Sequence, residues 1–203
     1  MPTEDKNKTI AVVTYPGVAL LDLVATKTVL DSLAIGTRYR SVTVGERTEP
    51  IASNTPMRII PEKRFEEVPD PFAIIVPGGG ANALKAMGDE RLINYLRFAE
   101  HGAEIVGSVS TGAFILAAAS LLKGRQATTH PDYAELLRKL GVNYVQRGWV
   151  EDGRYITAAG TSGGIEQDGG AGEIRPATML AENRENLERA LARRPDLYQE
   201  LFG

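Results

Sequence analysis

The chain has 203 residues, 43% of them hydrophobic and 24% charged, which fits one globular domain able to build its own core. It contains no cysteine, and this excludes a disulfide framework, a thiolate metal centre and a cysteine nucleophile. Lys+Arg number 23 against 26 Asp+Glu, a net charge of −3, so there is no basic excess to hold nucleic acid.

Residues 1–8 read as a flexible N-terminus. They lack the basic start and the ~7–15-residue apolar stretch of a signal peptide. No later run approaches the ~20 apolar residues of a membrane span. The expectation is a cytoplasmic protein with no membrane partner.

Thr9-Ile10-Ala11-Val12-Val13-Thr14-Tyr15 is short, apolar and β-branched, as in a strand buried on both faces, and Pro16-Gly17 breaks it. Residues 20–33 predict a helix with Leu20, Leu23, Val24 and Leu30 near one stripe. Residues 39–45 alternate like a strand, and residues 51–60 suggest a small hairpin. Residues 73–76 predict another buried strand, which runs into Pro77-Gly78-Gly79-Gly80.

A helix is expected from about residue 90 to 101, with Gly102 as its left-handed stop. A strand over 104–109 and a helix over 111–122, ended by Gly124, come next. Glu151-Asp152-Gly153-Arg154 predicts a hairpin turn. Six glycines within 160–172 argue for a loop, extending to about residue 176. A charged helix is expected beyond Pro176, to about Ala192. Strands and helices that alternate on short connections predict a mostly parallel α/β sheet covered on both faces. With no repeat and no linker, residues 1–203 read as a single domain.

The sharpest feature is Gly107-Ser108-Val109-Ser110-Thr111-Gly112-Ala113, where a strand meets a helix directly. Such a turn forces a strained backbone at Ser110 and lifts its side chain over the carboxyl edge of the sheet. Small residues two before and two after let the chain cross itself, and Ser108 and Gly112 supply them. This is the logic of a nucleophile elbow. The amides of Thr111 and Gly112 at the helix start, with those of Gly78 and Gly79, are candidates for an oxyanion and substrate-binding site. The competing reading is an N-cap serine above an ordinary glycine turn.

His130 follows a short strand expected at 126–129 and precedes Pro131, so it belongs at the same edge as Ser110. It is a candidate acid/base. His101 sits at a helix end, where it complements the dipole. Asp22 lies in the first turn of the helix after the first strand and could face the same pocket. Two histidines and no cysteine offer no transition-metal site.

Taken together, these segments resemble the ThiJ/PfpI superfamily, with its class I glutamine amidotransferase-like fold, over most of residues 9–165. Tyr15-Pro16-Gly17 with Leu21-Asp22-Leu23, Val76-Pro77-Gly78-Gly79-Gly80 and the run from 107 to 130 carry the likeness. Within the superfamily the chain is most similar to the isocyanide hydratase-like branch. The resemblance implies a flavodoxin-like three-layer sandwich, a homodimer and no cofactor. It places the family's nucleophile, a cysteine, at Ser110 and the acid beside it at Asp22. The oxyanion loop falls on Gly79 with the Thr111 amide, and the following histidine on His130. Three features depart from the family pattern: serine at 110, Ala25-Thr26 in place of Gly-Pro, and the glycine-rich stretch beyond Ile165.

An alcohol, unlike a thiol, must lose its proton during attack, so serine demands a base. The expected activity is a hydratase or lyase acting on a small electrophilic carbon, an isocyanide or a reactive carbonyl. The alternatives are a non-catalytic small-molecule-binding or regulatory module on the same fold, and a Cys-to-Ser inactivated form of the enzyme.

Overall fold

A computed structural model describes residues 8–160 of the protein. The expected glycine-rich loop and terminal helix lie outside the described residues.

Strand β1 (Lys8–Val13) opens the sheet, and its last three residues are buried. Helix α1 (Leu20–Ala34) begins at Ala19, whose side chain provides no cap. The cap comes from a distant residue instead, since Asn54 Oδ1 accepts from the Leu20 amide at 2.9 Å. Strand β2 (Tyr39–Gly45) follows, then the hairpin of β3 (Ile51–Ala52) and β4 (Arg58–Ile59), then β5 (Lys63–Arg64) and a 3₁₀ turn at Phe65–Glu67. Next come β6 (Ala73–Val76), α2 (Ala81–Ala86), α3 (Glu90–Ala99), β7 (Ile105–Val109) and α4 (Gly112–Ala118). The last described elements are β8 (Gln126–Ala127), α5 (Ala134–Lys139), β9 (Asn143–Tyr144), β10 (Trp149–Asp152) and β11 (Tyr155–Ala158).

Seven strands form the main sheet in the order β10-β11-β7-β6-β1-β2-β5. All its neighbours pair parallel except β10 with β11. The crossover from β1 to β2 runs one way along the sheet, and the one from β6 to β7 runs the other way. Right-handed crossovers in opposite directions put α1 on one face and α3 and α4 on the other. The result is the flavodoxin-like α/β arrangement expected from the sequence. Val12, Val13, Ile74 and Val106 fill the middle of the sheet, and Leu92, Leu96, Phe114 and Leu116 cover it, all fully buried. Burial of each such side chain contributes about 1.5–3 kcal/mol. Strand order reverses between β1 and β6, and ligands of open α/β sheets bind outside the carboxyl ends of the strands at that point.

Several local expectations are corrected. Val24 is 51% exposed, because Leu23 and Leu30 define the buried stripe and Val24 lies off it. Gly102 has no left-handed backbone, and His101 closes the end of α3 with its amide on the Phe98 carbonyl. A Cβ at 102 would displace the exposed Asp70 carboxylate that rests against it. Helix α4 stops at Ala118, not residue 122, because Ser120 turns left-handed at φ +67°. The amides of Ser120 and Leu121 then reach back to the carbonyls of Ala117 and Leu116, a Schellman close.

Candidate active site

Three loops converge at the carboxyl edge, one each after β1, β6 and β7. Ser110 directly follows β7 at φ +55°, one of two described non-glycine residues in the left-handed region. Its amide donates to the Ala158 carbonyl of the neighbouring strand at 2.8 Å. Its carbonyl accepts from the Thr129 hydroxyl at 3.0 Å. Both flanking peptides are therefore held, which leaves the side chain to project from a turn that costs about 1–2 kcal/mol to maintain. Gly112 permits the turn. A Cβ at 112 would run into the Val76 carbonyl and sit 2.9 Å from that of Pro77, two backbone atoms that cannot move aside.

Gly78 brings the site together. A Cβ on Gly78 would lie 2.5 Å from Asp22 Oδ2, 2.9 Å from Ser110 Cβ and 3.1 Å from Ser110 Oγ. The Asp22 carboxylate and the Ser110 hydroxyl therefore face the same small space above the Gly78 Cα. Asp22 is 7% exposed, set in the first turn of α1, and the Ala19 amide just before that helix binds the Gly78 carbonyl at 2.7 Å.

The Gly79 amide, expected to face an anion, is committed elsewhere. It donates to the Thr111 Oγ1 at 3.0 Å, and the Gly80 amide does so at 2.8 Å. The physical reason is parallel register. Val76 pairs with Ser108, so the residue after the elbow falls level with the glycine loop. Thr111, 1% exposed, serves as a clamp on that loop through its hydroxyl.

His130 stands at the rim. Its Nδ1 accepts from the Asp132 amide at 3.4 Å, and its ring meets Tyr133 edge-on, with centroids 6.0 Å apart. No hydrogen bond joins it to Ser110 among the described residues; the link is Thr129, one residue earlier. Ser110, Asp22, Gly78, Gly79, Thr111 and Gly112 are thus brought together, with His130 beside them.

Tyr15 and Thr129 belong to the site's framework, and chemistry-seeking sequence reasoning passes over both. Tyr15 donates to the Pro77 carbonyl at 2.9 Å. Burial, and secondarily the negative charge of Asp22, push its phenol far above the usual tyrosine range, so it stays protonated and donates. Among the described residues no group of three or more His, Cys, Asp or Glu side chains could hold a metal ion. No described helix is long and apolar enough to cross a membrane.

A sequence profile of the DJ-1/PfpI family matches residues 8–167. An isonitrile hydratase from Pseudomonas putida is 37% identical over 152 residues, covering 75% of this chain and 65% of that protein. Protein DJ-1alpha from Drosophila melanogaster is 27% identical over 115 residues, 55% of this chain and 53% of its own length. The chain therefore spans only about half to two thirds of these relatives. Among solved structures, a ThiJ/PfpI family protein from Pseudomonas syringae superposes with a TM-score of 0.72 at 26% identity, over 93% of this chain and 75% of that one. Drosophila melanogaster DJ-1beta gives 0.68 at 18% identity, over 89% and 90%, a likeness of fold.

Proposed function

The chain belongs to the DJ-1/PfpI family, and from that premise we propose that it hydrates a small electrophilic carbon at Ser110, with an isocyanide converted to its N-substituted formamide. A reactive carbonyl is the other substrate of this kind. The observation that carries the reading is that Asp22 Oδ2 and Ser110 Oγ lie within 2.5 and 3.1 Å of one point, where a Cβ on Gly78 would sit. The likeness to an isonitrile hydratase supports the substrate class.

The reaction balances with these groups alone. Asp22 takes the Ser110 proton as Oγ bonds the terminal isocyanide carbon, then returns it to that carbon, giving a formimidate ester. Water adds to the same carbon. The carbon–Oγ bond breaks, the serine recovers its proton, and the formamide leaves. Backbone amides at the start of α4 face charge that develops during attack. His130 assists from the rim as an acid/base. In the same reading the protein is a cytoplasmic homodimer that needs no cofactor and binds neither nucleic acid nor membrane.

Turnover of an aliphatic isocyanide by wild type, Ser110→Ala, Ser110→Cys and Asp22→Ala tests this. Loss of the acid/base should cost about 10²–10⁴-fold. Ser110→Ala should be inactive, and Ser110→Cys at least as active as wild type, since a thiolate forms more readily. Full activity in both Ser110→Ala and Asp22→Ala would remove these residues from the reaction.

One observation favours a second reading, a small-molecule-binding or regulatory module. The position that the family likeness gives to a cysteine nucleophile holds serine, whose hydroxyl forms no ready anion at neutral pH. That reading requires ligand-induced thermal stabilisation without turnover, even in Ser110→Cys. Gain of hydration by Ser110→Cys alone would instead indicate a cysteine enzyme inactivated at this position, and the intact mass of the product of an unmodified gene would identify the native residue.

A further inference from the structure

Tyr15 ends the first buried run and is 2% exposed. Its hydroxyl donates to the Pro77 carbonyl at 2.9 Å. The same oxygen lies 2.8 Å from where a Cβ on Gly79 would sit, so the glycine loop rests against the phenol with no spare room. A peptide bond is planar, so the direction of the Pro77 carbonyl dictates that of the Gly78 amide and where the Gly78 Cα begins. That Cα is the surface on which Asp22 and Ser110 meet. The Ala19 amide fixes the next carbonyl along, and Thr111 holds the two amides after it.

We propose that Tyr15 is a positioning residue. Through the Pro77–Gly78 peptide its hydroxyl sets the separation of Asp22 from the side chain at 110, and so tunes the reactivity of that side chain. The proposal rests on the site assignment above, but its test does not need the hydration reaction.

The absence of cysteine provides the probe. In a Ser110→Cys protein the single thiol is at the site, and its alkylation by iodoacetamide against pH reports its environment. The Asp22 charge held against the sulfur disfavours the thiolate. Adding Tyr15→Phe frees the loop and relaxes that contact. The expected result is a folded protein whose alkylation midpoint falls by about 0.5 pH or more, with a rate at pH 7 raised at least about threefold. Gly79→Ala, which presses on the same hydroxyl from the loop side, should also displace the midpoint.

Tyr95→Phe is the control. That tyrosine is buried too, and its hydroxyl bonds the Val68 carbonyl at 3.0 Å, away from the site. It should cost stability and leave the alkylation profile in place. If Tyr15→Phe leaves the profile unchanged, or Tyr95→Phe moves it equally, Tyr15 does not position the site. Failure of isocyanide turnover with a displaced midpoint would overturn the proposed reaction and leave this role standing.

Discussion

At the scale of single residues, the site trades stability for placement. Ser110 occupies a left-handed backbone that glycine adopts without steric cost. Ser110→Gly removes about 1–2 kcal/mol of strain and adds part of that back through the freer unfolded chain. The net expectation is a gain of about 0.5–1 kcal/mol, read from the urea midpoint, with loss of any activity or ligand response that uses the hydroxyl. The turn was readable from sequence because all its requirements are local: small residues at 108 and 112 around a strand end. Gly78 was readable as a candidate for the oxyanion and substrate-binding site, but not as the surface between Asp22 and Ser110. Its partners Asp22 and Ser110 come from other loops, and nothing in a triple glycine says which of the three will lie between them. The Thr111 clamp was hidden for the same reason, since it depends on the register of β6 with β7.

At the scale of elements, α4 shows where periodicity misleads. Apolar residues continue past Ala118 to Leu121 and Leu122, and nothing in the hydrophobic pattern marks the stop. The Schellman bonds at Ser120 end the helix, and the apolar residues beyond it serve the core as part of a turn. Glycine is the residue best suited to that left-handed position. Ser120→Gly should therefore raise the thermal midpoint, by an amount equivalent to about 0.5–1 kcal/mol, and leave the site unchanged. The short helices α2 and α5, six residues each, give too little pattern to detect. Strands β1 and β6 and the β10–β11 hairpin were legible, because buried β-branched runs and a Gly-containing turn are signals contained within the segment; β2 was read as alternating, but all its residues except Arg40 are buried.

At the scale of the molecule, three buried phenols set the alkaline limit of stability. Burial is the first cause that raises Tyr15, Tyr95 and Tyr155 above the ordinary tyrosine range. A raised folded value means the contribution is complete below the unfolded value of about 10 and is lost as pH climbs past it, because only the unfolded chain then releases the proton. Tm should hold to about pH 9 and fall beyond pH 10. Tyr95→Phe should be less stable at pH 8 by about 1–3 kcal/mol, since the Val68 carbonyl loses its donor, and the gap to wild type should close as pH approaches 11. The parallel sheet and its layers were legible in the alternation of strands and helices. The position of the site at the reversal of strand order was not, because strand order is a property of pairing between segments far apart in the chain.

The close approach of Gly112 to Val76 and Pro77 has a chemical corollary. The path of the backbone through 110 is dictated by its neighbours, so the terminal atom of that side chain is an interchangeable tip on a fixed mount. Exchange of oxygen for sulfur would alter acidity, softness and redox behaviour together while asking nothing new of the chain that carries it.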